Sequence, residues 1–474
     1  MTRNRWYPTN TTLSTGDVLT TSGETEPMLR PDQYFPELWQ NGNWVEMDGA
    51  PKLLPLYPWM FQAPNGKVFY AGAGPETRYF DPYYVNPATG KKGAWTELGT
   101  QGRTYNRVYG TAAMFAPGLI LVAGGSDGRT VTNTTEIIDL VSGTATAPNS
   151  SDKLPVITAA APMRYARHHA NATILPDGTV LVTGGSLVKE ASDRTKAVLD
   201  AELWNPPPPY GTGAAGTGTW TTVAPLAEAR MYHSTAVLLP DGRVLTAGGE
   251  EYNSARSSSN NHPNAEIYSP PYLSKGPRPV VTDAPAYVGY GQSFTVQTPD
   301  AARITRATLV RLSSVTHSFN MNQRLLPLSV GSTAGGVVSL TAPADGATCP
   351  PGHYLLFVLD ANGVPSQGRV VAFGANPCAP AVAVGAGIVG ATACTATAQA
   401  TASGPGLGTD FRWFIDGVPE PAFNGQPTAW VTLDLCRPQV TFSVRVTATC
   451  GGEVRGSAGT SAVISGLCQC LAQE

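Results

Sequence analysis

The sequence predicts an all-β protein built on a β-propeller, and three observations predict it. The 474 residues carry 51 Gly and 41 Pro without forming low-complexity tracts, and no sustained helical periodicity runs through them. Five short apolar runs in the first half each follow a turn glycine and end at another glycine. Nine residues before each turn glycine stands a tyrosine or a histidine: Tyr7 before Gly16, Tyr57 before Gly66, Tyr109 before Gly118, His169 before Gly178 and His233 before Gly242. A fixed offset marks equivalent places in stacked copies of one unit, so these five side chains are expected to converge on a common axis. Converging phenols and imidazoles suggest a metal site.

The runs are second strands of hairpins: 18–23, 68–74, 119–125, 180–185 and 244–249. Each is β-rich and closes on a glycine where the chain turns sharply or passes close to another strand. Glycine-to-glycine spacings of 50, 52, 60 and 64 residues leave room for a four-stranded sheet per repeat, the size of a kelch-type blade. The polar stretch 205–217, with its run of four prolines, reads as an inter-strand loop. Since the innermost strand of a blade lines the central channel, a residue at its start sits at one mouth of that channel.

The repeats stop near Ser269-Pro270-Pro271, which sets domains at 1–270, 271–375 and 376–474. Residues 293–296, 307–312, 337–340 and 354–359 read as strands of a small β-sandwich. Within it Thr316-His317-Ser318-Phe319-Asn320 sets a histidine at a strand end among polar neighbours, too wet for an ordinary core histidine. From 376 onward the composition turns to Ala, Thr, Val and Gly. Phe411–Gly417 and Phe442–Ala448 alternate as strands of an immunoglobulin-like module, read as a spacer or as a surface-attachment module.

Net charge is −3 and only 14% of residues are charged, which argues against nucleic acid and anionic membranes as partners. No apolar run reaches the length of a membrane span, and the first twenty residues lack the pattern of a signal peptide. All seven cysteines lie at or after Cys349, a clustering that suggests disulfides of a secreted or cell-surface protein. Cys349 with Cys378 is one bridge this reading allows; the other five are odd in number.

Several ordered motifs then carry a family resemblance over residues 1 to about 375. Arg230-Met231-Tyr232-His233 resembles the copper-binding Tyr-His segment of the galactose oxidase and glyoxal oxidase family of copper radical oxidases. Thr316-His317-Ser318, with Asn320 and Gln323-Arg324, resembles the segment that supplies the second histidine. The run 351–366 resembles the closing hairpin of the family's sandwich, and Arg5-Trp6-Tyr7-Pro8-Thr9 resembles the segment of the radical tyrosine. The resemblance implies a Cu(2+) site held by Tyr7, His233 and His317 with Tyr232 axial, Tyr7 and Tyr232 being catalytic. It implies oxidation of a small aldehyde or primary alcohol with O2 reduced to H2O2. Imidazole suits copper, and a phenolate both binds the metal and can be oxidised. Tyr57 and Tyr109 are then expected to line the approach, and His169 to stand behind the ligands. His168 is expected to face away from His169 because neighbours on a strand alternate.

Three departures from the family qualify this expectation. The tryptophan that stacks on the family's radical tyrosine lies eighteen residues on, where this chain has Thr25. The sugar-binding arginine falls at Leu53, and Leu56-Tyr57-Pro58 looks like the glyoxal oxidase branch. The family's propeller has seven blades, the second of which supplies the cysteine bonded to the tyrosine; five repeats are recognisable here and no cysteine precedes Cys349. Met1 falls at an internal consensus position, six residues before Tyr7 as Met163 is before His169, which suggests an N-terminal truncation. The Tyr-Cys radical cofactor is then not formable within the chain and activity is expected to be impaired. A second reading is a non-catalytic extracellular kelch-like protein that binds a glycan or a protein partner.

Overall fold

In the computed structural model the described residues are 1–474 without 25–33, 104, 190–192, 208–215, 250–261, 376–382, 392–394, 404–410, 425, 427, 435–438, 451–452 and 466–474. Among them every regular element is a strand or a short 3-10 turn. The chain divides into two compact units. The first holds Met1–Pro270, Val310–Leu326 and Gly346–Pro351; the second holds Pro271–Leu309, Pro327–Asp345 and Gly352–Glu474.

The first unit is a β-propeller with five sheets in chain order. Its strands are Thr9–Thr12 (β1), Val18–Thr21 (β2), Glu37–Gln40 (β3) and Asn43–Glu46 (β4); then Trp59–Gln62 (β5), Val68–Gly72 (β6), Thr77–Val85 (β7) and Lys92–Gly99 (β8). Next come Thr111–Ala116 (β9), Leu119–Ala123 (β10), Thr135–Asp139 (β11) and Val156–Ala160 (β12), followed by Asn171–Ile174 (β13), Val180–Thr183 (β14), Ala201–Asn205 (β15) and Thr219–Val223 (β16). Thr235–Leu238 (β17), Val244–Ala247 (β18) and Ala265–Tyr268 (β19) form the fifth. Each sheet is an antiparallel meander in sequence order, as short hairpin connections dictate. The expected second strands are β2, β6, β10, β14 and β18, ending at or shortly before the glycines that close them.

Apolar side chains on facing sheets fill the space between blades. Leu13, Leu19, Leu38, Met60, Val68, Tyr70 and Phe80 form one such layer; Trp59, Phe61, Phe69, Tyr79, Met114, Ile120, Val122 and Ile138 form the next. Both layers are almost wholly shielded from water. Gly16, in the turn between β1 and β2, illustrates the turn chemistry: its φ is 94°, a region that only glycine enters without strain.

In the second unit Tyr287–Gly289 (β20), Ser293–Gln297 (β21), Ile304–Arg311 (β22), Leu325–Val330 (β25), Val337–Thr341 (β26), Gly352–Asp360 (β27) and Arg369–Gly374 (β28) form one sheet in the order β20-β28-β27-β22-β25-β26-β21. The segment between β22 and β25 carries the hairpin Val315–Thr316 (β23) and Phe319–Asn320 (β24), which belongs to the first unit. Ala383–Ala391 (β29), Thr395–Ser403 (β30), Phe411–Ile415 (β31), Val418–Pro419 (β32), Thr428–Asp434 (β33), Gln439–Cys450 (β34) and Glu453–Ser465 (β35) form two further sheets, β29-β30-β33 and β32-β31-β34-β35. Trp413 is buried there, its indole N–H donating to Gln426 O at 2.8 Å. Cys349 is fully buried, and the bridge expected of it falls on Cys378, outside the described residues.

Candidate metal centre

All five repeat positions share one backbone state. Tyr7, Tyr57, Tyr109, His169 and His233 have φ of 65°, 47°, 51°, 67° and 62°. A non-glycine residue in the left-handed region costs roughly 1–2 kcal/mol, and five of them in register mark a position where the direction of the side chain matters more than local comfort. The backbone reverses there, just ahead of the innermost strand. Neighbouring copies are stitched together: Tyr57 N donates to Tyr7 O at 3.2 Å and His169 N to Tyr109 O at 2.9 Å.

The hairpin β23–β24 reaches the same place from elsewhere in the sequence, packing against the inner strands β9, β13 and β17. Its two-residue turn is His317-Ser318, with φ of 47° and 68°, the geometry of a tight primed turn. Neither residue is the asparagine or glycine that such a turn usually takes, and the support comes from amides beside it. Asn320 Oδ1 accepts from Ser314 N (3.0 Å) and Gln323 N (3.2 Å), and Gln323 Oε1 accepts from Ile174 N (2.8 Å). Fully buried Phe319 drives the hairpin into the apolar layer, edge-on to Phe61 with ring centres 5.6 Å apart.

Tyr7, Tyr232, His233 and His317 therefore meet, although they are up to 310 residues apart in sequence. Tyr7 Oη lies 2.8 Å from Tyr232 Oη and 3.4 Å from His233 Nε2. The His317 ring centre is 4.3 Å from that of Tyr7, 4.5 Å from His233 and 5.3 Å from Tyr232. His317 Nδ1 is hydrogen-bonded to Thr316 Oγ1 at 2.6 Å, which leaves Nε2 as the available donor atom; it is buried and has no hydrogen-bond partner. Burial, and then the neighbouring His233, pull the His317 imidazolium down to about 4, so the ring is neutral at pH 7. Burial, then the hydrogen bond shared with Tyr7, push the Tyr232 phenol far above its ordinary value.

The remaining repeat residues stand behind these four. Tyr57 stacks on His317 (4.3 Å, 23°), and burial raises its phenol to about 12. Tyr109 is hydrogen-bonded to Tyr232, with ring centres 6.0 Å apart. His169 packs on Tyr109 and Tyr232 at 4.3 and 5.1 Å. The expected alternation of His168 and His169 fails because His169 is left-handed rather than extended: both rings are buried and their Nδ1 atoms lie 3.0 Å apart. Sequence reasoning also missed Trp6, which stacks on Tyr7 at 3.6 Å and 17°. Adjacent residues on a strand cannot stack in this way; the positive φ of Tyr7 permits it. Thr25, the place expected of a stacking residue, lies outside the described residues.

The inner mouth of the β-propeller thus gathers two phenols and two imidazoles, on a chain that also carries a β-sandwich. Residues 278–373 match the family model "Galactose oxidase-like, Early set domain". Galactose oxidase of Gibberella zeae is 29% identical over 395 residues, covering 77% of this chain and 54% of the relative. Aldehyde oxidase GLOX of Vitis pseudoreticulata is 28% identical over 403 residues, covering 77% and 71%. A novel fungal alcohol oxidase of the AA5 family, solved in complex with copper, superposes with a TM-score of 0.67 at 25% identity, covering 79% and 76%. Over most of its length the chain is thus similar to galactose oxidase and to an aldehyde oxidase of the glyoxal oxidase type. It spans about half the length of the galactose oxidase it matches.

Proposed function

We propose that the protein is a copper-dependent oxidase of small aldehydes or primary alcohols, with Tyr7, Tyr232, His233 and His317 holding Cu(2+). The convergence of Tyr232 and His233 on Tyr7 Oη, with the His317 ring beside Tyr7 and its buried Nε2 unpartnered, carries the reading. The donor set fits copper: two imidazoles and two phenols are borderline N and O donors of the kind that suit Cu(2+) in a tetragonal site. When bound, copper supplies one-electron chemistry and binding of O2, the partner of the family's reaction.

The protein's own contribution is binding, orientation and proton handling. Neutral His317 is ready to bind without first losing a proton. The high proton affinity of Tyr232 makes its phenolate a strong base once formed, suited to take a hydroxyl proton from a substrate alcohol or hydrated aldehyde. Tyr109 holds the Tyr232 phenol from behind, and Tyr57 orients His317 by stacking. Trp6 covers one face of Tyr7 and excludes water from it. Identities of 29% to a galactose oxidase and 28% to an aldehyde oxidase put the two branches level, so the substrate is assigned only as a small aldehyde or primary alcohol.

Within these 474 residues no cysteine precedes Cys349, so the polypeptide by itself gives Tyr7 no thioether partner on the propeller's early strands. An unmodified phenol is harder to oxidise, and the polypeptide alone is expected to bind copper but turn over weakly or not at all. Secretion is inferred from the cysteine cluster after Cys349. Copper titration followed by electron paramagnetic resonance tests the assignment. A tetragonal, nitrogen-rich Cu(II) signal lost in His233→Ala supports it; no signal in the wild type points to a binding propeller without catalysis. Peroxide formation at enzymatic rates by the copper-loaded polypeptide would overturn the impairment.

A further inference from the structure

One buried clasp recurs in four of the five repeats, and it explains how two adjacent side chains enter one site. Arg5, Arg107, Arg167 and Arg230 each donate to a carbonyl near the end of the second strand and to one just before the third. The acceptors are Ser22 and Phe35 (2.8 and 2.6 Å), Gly124 and Thr134 (both 3.0 Å), Gly184 and Asp200 (2.8 and 2.5 Å), and Gly248 and Asn264 (2.9 and 3.1 Å). A third-strand glutamate faces each guanidinium: Glu37 at 2.9 Å, Glu136 at 3.5 Å, Glu202 at 2.7 Å and Glu266 at 3.1 Å. In three copies the glutamate's other oxygen accepts the backbone N–H three residues before the arginine, from Thr2, Arg164 and Ala227, each at 2.6 Å. The second repeat has Pro55 at the arginine's place.

The clasp fixes where the chain enters the inner strand, and the turn glycine nine residues past the left-handed residue fixes where that strand ends. Clasp and neighbouring blade are also tied, Gly125 N donating to Arg167 O at 2.8 Å and Gly185 N to Arg230 O at 2.7 Å. From arginine to left-handed residue the count is two in Arg5–Tyr7, Arg107–Tyr109 and Arg167–His169, but three in Arg230–His233. With both ends held, the extra residue has nowhere to go but the channel mouth. Adjacent rings also touch in Trp6–Tyr7 and His168–His169, at 3.6 and 4.1 Å, without an insertion; what sets this repeat apart is that Tyr232 and His233 both reach Tyr7 Oη.

We propose that this one-residue insertion, held between the Arg230–Glu266 clasp and left-handed His233, is what brings both Tyr232 and His233 to Tyr7 Oη. Arg230 and Glu266 are then positioning residues for the Tyr232–His233 pair. The proposal rests on the copper reading of the site, and the experiment separates the two.

Arg230→Lys is compared with Arg167→Lys, the same change in a repeat without the insertion. Lysine keeps the charge but loses the fork that reaches two carbonyls and a carboxylate at once. Both variants of the full chain are measured for copper-free melting temperature, Cu(II) affinity by competition titration, nitrogen hyperfine structure and the phenolate-to-Cu(II) absorption band. Melting is expected to fall comparably in both. Arg230→Lys should lose roughly tenfold or more in affinity, the scale seen when outer partners of metal ligands are changed, together with the absorption band. Arg167→Lys should keep the band and stay within about threefold of the wild type, well inside that scale. Equal losses in both variants, or wild-type affinity and spectrum in Arg230→Lys, would overturn the proposal. Should Arg230→Lys not fold, Glu266→Gln, at a partly exposed carboxylate, replaces it; wild-type binding by that variant overturns the proposal too. A wild type that binds no copper sinks the metal reading itself.

Discussion

Phe319 anchors the hairpin that presents His317, so Phe319→Ala should disturb stability and metal binding together. The side chain is fully buried in the layer with Trp59, Phe61 and Met114, and its hairpin otherwise rests on two-residue strands and the amide hydrogen bonds of Asn320 and Gln323. Burial of about 150–200 Å² at about 25 cal/mol per Å² is worth about 4–5 kcal/mol, of which alanine retains a minor part. The cavity left behind brings the expected loss to about 4 kcal/mol, inside the usual range for Phe→Ala. For a unit of this length, with an unfolding entropy of about 2.1 cal/mol/K per residue, melting should fall by about 6 °C. Copper affinity should drop about tenfold because the hairpin tip loses its seat. Calorimetry of the copper-free protein and competition titration measure the two effects, with Phe319→Leu as the mild control at about 1 kcal/mol. A loss below about 1 kcal/mol, or full destabilisation with unchanged copper affinity, refutes the idea that this packing positions His317.

Other consequences can be measured as directly. Glu202→Ala leaves the Arg167 guanidinium buried without its carboxylate and should cost about 3–5 kcal/mol in urea unfolding; a loss under about 1 kcal/mol would show that the clasp is decorative. In the second unit a Cβ on Gly336, at φ 75°, would land 2.0 Å from Asp416 O. Gly336→Ala should therefore expose the hydrogen bonds between Asp416 and Thr441 to amide exchange, while protection in β9 and β13 is retained. His317 is held neutral in the folded, copper-free chain down to about pH 4 but protonates near 6.5 when unfolded. Its contribution to stability is thus present above pH 6.5 and lost as pH falls from there towards 4. His317→Gln should flatten the stability profile in that window, and an unchanged slope would contradict the neutral, buried ring.

The propeller was legible because its signal is periodic. Turn glycines and short apolar runs recur at every copy, and the strands β2, β6, β10, β14 and β18 begin where those runs begin. The offset of nine residues was legible for the same reason, since it spans one hairpin arm of constant length. The clasp was not, because its arginine and glutamate stand 29, 32, 35 or 36 residues apart in different copies, the loops between them differing in length. His168 was misjudged, and the stacking of Trp6 missed, because residues beside the inner strand were expected to alternate like strand residues. A positive φ at Tyr7 and at His169 breaks that alternation and folds each side chain back on its neighbour. His317 could be picked out from its polar setting and its motif, but composition alone gave no reason to bring it 4.3 Å from Tyr7.

The left-handed ring has a meaning for how such a protein can change. Each repeat offers one seat, already strained and already aimed at the shared axis, whatever side chain occupies it. Replacing a tyrosine by a histidine there alters the chemistry of the mouth without asking the backbone to move. A lineage can therefore exchange donors by point substitution, seat by seat, while the sheets behind them drift. Tyr57 and Tyr109 are the seats to recruit first in the laboratory: Tyr109→His would add an imidazole beside Tyr232 on a backbone built to carry one, as His169 does in the next repeat.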